Sequence, residues 1–236
     1  VTVKCRIGTD SRRPFSRQSN DFKQEYAELC RFIETVAADG IVTDFSVHAR
    51  TAVLQKSFSP NDNRKIPPLK YDIVQRLVED YPELSFTLNG GIDSLNQVQE
   101  QLEMAPGLNG CMVGRAWAAD PWSFALADLL LYGQPPSVRN RLDIIEAYGR
   151  HADAEEERGD LLKIRRFIVK AITPLFAGEA NAKRYRIALD EIVVRPKLLE
   201  NEGKSVTDEP PLSELIWKAA VEHLTEEALL RTPEES

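Results

Sequence analysis

Residues 84–116 read LSFTLNGGIDSLNQVQEQLEMAPGLNGCMVGRA. Two short apolar runs, Leu84–Leu88 and Cys111–Val113, each stop at a glycine-bearing polar turn, Asn89-Gly90-Gly91 and Gly114-Arg115. Between them Leu95, Val98 and Leu102 recur at helical spacing, so the stretch spells strand, turn, helix, strand, turn. That is the repeating unit of an α/β protein with a parallel sheet. Glycines let a ligand approach backbone N–H groups, and Arg115 adds a fork of donors suited to phosphate. Successive strand ends of this kind form the phosphate site of many (β/α)8 barrels.

Working outward, the same unit repeats. Val1–Ile7 reads as a strand ended by Gly8, and residues 9–21 as a polar loop with Arg12, Arg13 and Arg17 facing solvent. A helix is expected over 22–38, a strand over 41–47, a long loop to Pro68 and a helix over 72–79. Pro121 opens a further helix through Leu131. Four strand–turn–helix units are half of an eight-unit barrel; a doubly wound sheet of four or five strands is the competing architecture. Polar residues recur at every strand end, Lys4/Arg6, His48/Arg50, Asn89 and Arg115, which favours the second half of a (β/α)8 TIM barrel. Residues 1–132 form that half in this reading, and 133–137 a linker. Helices over 138–157, 159–171 and 179–193 then make a small all-helical domain. The remainder, 198–236, is an acidic tail, disordered over 198–209 with short helices at 211–223 and 225–231.

Charge sharpens the division. The net charge is −7, but residues 198–236 hold ten acids against three bases and supply all of it. Residues 163–186 carry seven bases, Lys163, Arg165, Arg166, Lys170, Lys183, Arg184 and Arg186, against the single acid Glu179. The average hides a local basic patch suited to nucleic acid. Cys5, Cys30 and Cys111 are widely spaced and, with three histidines, suggest no zinc framework. No apolar run is long enough to span a membrane. The chain starts mid-strand without an initiator Met, which suggests a piece of a longer one.

Each polar strand end admits two uses. Lys4 is a cation over an electron-rich or phosphorylated ligand, or an inward lysine paired to a carboxylate. His48 is a donor or proton carrier near pH 7, or a satisfied loop residue. Asn89-Gly90-Gly91 and Gly114-Arg115 are each ordinary tight turns when taken alone; one βα unit apart, they point to a shared phosphate.

The motifs VTVKCRIG, SVHAR, LNGGI and CMVGRA, in this order, resemble the second half of the tRNA-dihydrouridine synthase family. LQKSFSPNDNRKIPPL (54–69) and LFAGEANAKRYRIAL (175–189) extend the likeness toward the family's DusA-type branch. The resemblance covers residues 1 to about 193 and leaves out the tail after Pro196. It implies an FMN-holding barrel followed by a helical tRNA-binding domain, with NADPH as reductant. Reduced flavin would deliver hydride to C6 of a flipped-out uridine and a cysteine would protonate C5. Lys4 and His48 fall on the family's flavin contacts; Asn89, Gly90, Gly91, Gly114 and Arg115 fall on its phosphate site. Arg50 falls on the substrate side or the phosphate side, and Arg165, Arg166, Lys183, Arg184 and Arg186 are the expected tRNA contacts.

The resemblance puts the family's acid cysteine in a Cys-Pro-containing loop of the barrel's first half, which nothing here matches. Cys5 is a poor substitute because it alternates away from the Lys4 side of its strand. The expectation is therefore a chain that is inactive by itself. In complete form it would be monomeric, cytoplasmic or organellar, and not membrane-bound. Two rival readings keep the turns: another FMN-dependent dehydrogenase or aldolase-like lyase, and a non-catalytic RNA-binding remnant. Neither rival enzyme needs the basic segment 163–186 or the His-Ala-Arg loop.

Overall fold

The computed structural model describes residues 1–11, 22–159, 161–203 and 209–235; of residues 161 and 162 only the backbone is described. Arg12, Arg13, Arg17 and the Leu162 side chain lie outside these. The chain divides into two compact units, Val1–Gly114 and Arg115–Ser236.

The first unit runs β1 (Thr2–Arg6), β2 (Thr9–Asp10), α1 (Phe22–Ala37), β3 (Asp44–His48), β4 (Ala52–Val53) and α2 (Asp62–Lys65). It continues through α3 (Tyr71–Asp80), β5 (Ser85–Asn89), α4 (Leu95–Met104) and β6 (Gly110–Met112). Four strands form one parallel sheet in the order β1-β3-β5-β6. The order never reverses, so right-handed crossovers carry α1, α3 and α4 to one face. A doubly wound sheet needs a reversal at a switch point, and none occurs among the described strands. The winding is that of a (β/α)8 barrel, and four units make half of one.

Period-2 alternation separates the two faces of this sheet. Phe45, Val47, Phe86 and Leu88 are buried, and the Phe45 and Phe86 rings stack with centroids 5.9 Å apart. The helices contribute Leu29, Ile33, Ile73, Val74, Leu77 and Val98 to the same apolar core. Each such side chain stabilises the unit by about 1.5–3 kcal/mol when fully buried. The opposite face is polar and partly accessible. α4 starts where Ser94 Oγ accepts the Gln97 N–H at 3.3 Å, an N-cap that satisfies one otherwise orphaned donor.

The second unit comprises α5 (Arg115–Ala119), a 3₁₀ turn over Pro121–Phe124, α6 (Ala127–Tyr132), α7 (Arg141–Arg158) and α8 (Leu161–Ile172). A second 3₁₀ turn over Thr173–Phe176, then α9 (Ala182–Asn201), α10 (Leu212–His223) and α11 (Glu226–Leu230) complete it. The division after Gly114 replaces the expected boundary at 133–137. Its cause is Trp122, which is buried in the helical core beneath the Arg141 guanidinium, 4.5 Å from the ring centroid.

The expectation that 198–236 stands apart from the helical domain is also corrected. α9 passes through Pro196 to Asn201, while 204–208 lie outside the described residues. α10 buries Leu212, Ile216 and Ala220 in the core shared with Ile145, Ala152, Tyr185 and Leu189. At Gly149 of α7 a Cβ would come within 2.9 Å of Ser213 Cβ, so the two helices meet where a side chain is missing. Pro211 gives α10 no side-chain cap, and Asp153 Oδ1 from α7 accepts the Ser213 N–H at 2.8 Å instead. Glu179 joins the ends of the unit, accepting from Arg141 at 2.9 Å and from Arg231 at 2.6 Å. The apolar residues of α10 thus find their partners on α7 and α9, far away in sequence.

Candidate functional site

Strand register assembles the sequence-predicted residues of the first unit into rungs. Arg6 pairs with His48, His48 with Asn89, and Asn89 with Met112. One rung lower on the same face stand Lys4, Ser46, Thr87 and Gly110. Lys4, His48 and Asn89 therefore share one polar face, toward the C-terminal strand ends where barrel chemistry is built. Cys5 is in register with Val47, and Cys111 with Leu88, so both thiols lie on the apolar face. Burial pushes each thiol up to about 11. Cys30 lies on α1. Among the described residues no thiol shares the face of Lys4.

The Asn89-Gly90-Gly91 turn is held from three sides. Asn89 Nδ2 donates to Met112 O at 2.7 Å, tying the end of β5 to the end of β6. Tyr71 Oη donates to Gly90 O at 2.6 Å. Gly90 and Gly91 have φ of +113° and +71°, a region that L side chains rarely occupy. A Cβ on Gly90 would lie 2.4 Å from His48 Cδ2, and one on Gly91 would lie 2.5 Å from Leu69 Cδ1. These glycines are thus required by backbone conformation and by close protein packing. Gly114 differs: it is exposed, with open space where a Cβ would stand. Arg115 follows as the first residue of α5, in the second unit.

Cations gather at the strand ends. Arg6 Nη1 donates to Thr51 O at 3.1 Å and Asn63 O at 3.0 Å, strapping the loop after β4 to β1. Asn63 in turn mimics a strand, accepting the Val53 N–H at 2.7 Å and donating to Val53 O at 2.9 Å. Arg50 donates to Pro67 O. Burial lowers the Arg6 pKa, and the Arg50 and Arg64 guanidiniums add to the effect. Arg64 Nε is buried without a hydrogen-bond partner. Three guanidiniums in one electrostatic neighbourhood favour an anion, and one orphaned donor is an unmet demand for an acceptor. Tyr71, Asn63 and Arg64 were not singled out from sequence. The partners of Tyr71 and Asn63 lie 10 to 57 residues away, and only the motif spelling of 54–69 hinted at the loop.

In the helical unit the expected RNA contacts separate. Lys183, Arg184 and Arg186 on α9 and Arg166 on α8 are exposed, as a phosphate contact requires. Arg165 is not: it is 2% exposed, paired to Glu156, with Nη1 3.5 Å from Ile192 O. A buried, paired guanidinium cannot reach a phosphate, so Arg165 leaves the set of RNA contacts and joins the core.

Fold and site together define a half (β/α)8 barrel with an anion-seeking strand-end face, followed by a helical unit with exposed bases. The family model for dihydrouridine synthase matches residues 1–209, and the chain belongs to that family. It is 39% identical over 191 residues to the tRNA-dihydrouridine(20/20a) synthase of Shewanella oneidensis, covering 81% of this chain and 51% of that protein. The enzyme of the same name from Synechocystis sp. is 37% identical, with coverage of 81% and 52%. That from Xanthomonas campestris pv. campestris is 34% identical over 213 residues, covering 89% and 57%. The chain spans about half the length of the curated relatives it matches. No helix among the described residues is long and apolar enough to cross a membrane, and no group of three or more His, Cys, Asp or Glu among them could hold a metal.

Proposed function

We propose that this chain supplies half of the FMN barrel and the helical tRNA-binding part of an NADPH-dependent tRNA-dihydrouridine synthase, which reduces the C5–C6 double bond of a uridine. The observation that carries the reading is the rung Arg6–His48–Asn89 above Lys4, on the polar face of a half barrel whose strand ends gather three arginines.

These residues fit a phosphorylated cofactor. Its phosphate needs donors without competing side chains, and Gly114 is exposed with open space where a Cβ would stand. The buried Arg64 Nε still lacks an acceptor. Asn89 would hold the two strand ends at fixed spacing through Met112 O. Arg115 enters through the family resemblance. Bound flavin would supply the hydride. Lys4 would place positive charge on the polar face, where a reduced, anionic ring needs it. His48, pressed against Gly90, would offer a ring N–H in a fixed direction. Arg166, Lys183, Arg184 and Arg186 would grip the tRNA backbone while the uridine leaves its stack. The described thiols do not share that face, so protonation at C5 is not assigned to them.

The test is spectroscopic. The full-length protein should be purified yellow, and Lys4→Ala should change the potential of the bound flavin with little effect on tRNA affinity. A colourless protein that gains no flavin on incubation with FMN contradicts the reading and favours a lyase.

A further inference from the structure

Lys163, Arg166, Phe167 and Lys170 follow one another on α8 at i, i+3, i+4 and i+7, and all four are exposed. The opposite side of the helix buries Arg165, Ile168, Val169 and Ile172. One face therefore presents three cations around a phenylalanine that is 69% exposed, with no acid among them. Phe167 and Lys170 line a groove of about 680 Å³ with Trp117, Pro121, Asp128 and Tyr148. Trp117 is itself 56% exposed. Tyr148 Oη donates to Ile168 O at 2.8 Å, which ties α7 to α8 along this wall.

What distinguishes Phe167 from other exposed apolar residues is the three cations around it and the groove beside it, and together they decide what this face can take. A second copy of this chain would bring α8 against like charge, which opposes association. A nucleotide answers both features: its base has a π-face for the ring and its phosphates take the cations. Asp128 adds an acceptor for a base N–H.

We propose that this groove takes one unstacked base of bound RNA against Phe167 and Trp117, with Arg166 and Lys170 on the flanking phosphates. It is a nucleotide site carried wholly by the helical unit; it shares Arg166 with the tRNA grip assigned above and adds Phe167, Trp117 and Lys170. It rests on the reading that the protein binds tRNA.

The experiment measures binding of an unmodified tRNA transcript to the full-length protein across a salt series. Phe167→Ala should weaken binding about 5- to 50-fold without changing the salt slope, because stacking releases no counterions. Phe167→Tyr should bind like the parent, and Phe167→Leu like the alanine variant, since leucine has no π-face. Lys170→Ala should lower the slope by about one. All four side chains are exposed, so thermal unfolding should be unchanged. Equal affinity of the parent and Phe167→Ala overturns the groove while leaving tRNA binding intact. Full recovery with Phe167→Leu overturns it in favour of an apolar protein segment. Dissociation of an oligomer by Phe167→Ala overturns it in favour of a second copy. A parent that binds no tRNA removes the functional reading itself.

Discussion

Arg165 and Pro196 are coupled through one carbonyl. Nη1 of Arg165 lies 3.5 Å from Ile192 O, four residues before Pro196 in α9. That oxygen would accept the N–H of residue 196 in an uninterrupted helix, and proline has none. Arg165 thus satisfies the acceptor that Pro196 leaves open, while its Nε pairs with Glu156. Arg165→Ala should destabilise the protein by about 3–5 kcal/mol, because Glu156 is left largely buried and unpaired. In a Pro196→Ala background the loss should shrink by about 0.5–1.5 kcal/mol, since the helix then closes its own bond. Denaturant unfolding of the four proteins measures the coupling; strict additivity would separate the two residues.

The turn after β5 makes a second prediction. Gly90→Ala meets both a φ of +113° and the His48 ring, and should cost about 2–4 kcal/mol. His48→Ala should relieve the steric part but leave the backbone part. Recovery of all the lost stability in the double variant would mean that strain contributes nothing.

Salt-dependent RNA binding distinguishes buried from exposed bases. Replacing Arg166, Lys183 and Arg186 together with alanine should lower the slope of log K against log salt by about two to three. Arg165→Ala, where it remains folded, should leave the slope unaltered. A triple variant with the parental slope would return these residues to an ordinary solvated surface.

The thiols respond to pH in a defined direction. Cys5 and Cys111 are raised by burial from 9.0 to about 11, so each stays protonated in the native state where the unfolded chain ionises. The unfolded state then binds fewer protons between those values, and stability contributed by the neutral thiols is present below pH 9 and falls as pH rises toward 11. Alkylation at pH 8, followed by peptide mapping, should find both sites about 100-fold slower than a free thiol. Rapid labelling of Cys5 would place it on an accessible, charged face.

Part of this was legible in the sequence for plain reasons. Period-2 alternation puts Lys4 opposite Cys5, and strand ends at glycine turns put His48 and Asn89 on one rung. Helical spacing located α10 and α11 within a residue of their observed bounds. What was not legible depends on distant partners. Tyr71 closing the Gly90 turn, Asn63 imitating a strand and Asp153 capping α10 are contacts across 19, 10 and 60 residues. Arg165 looked like its neighbour Arg166, since adjacent residues on a helix point about 100° apart and only packing decides which is buried. The helix expected over 179–193 runs on through Pro196 to Asn201, because the bond missing at Pro196 is compensated by a side chain from another helix.

The most direct measurement supplies the full-length protein with FMN, NADPH and an unmodified tRNA transcript, then digests the RNA and looks for dihydrouridine by mass spectrometry. The expected product is a nucleoside heavier than uridine by two hydrogens, dependent on NADPH and strongly reduced in Lys4→Ala and His48→Ala. A flavin-loaded protein that binds tRNA yet leaves every uridine unreduced would contradict it.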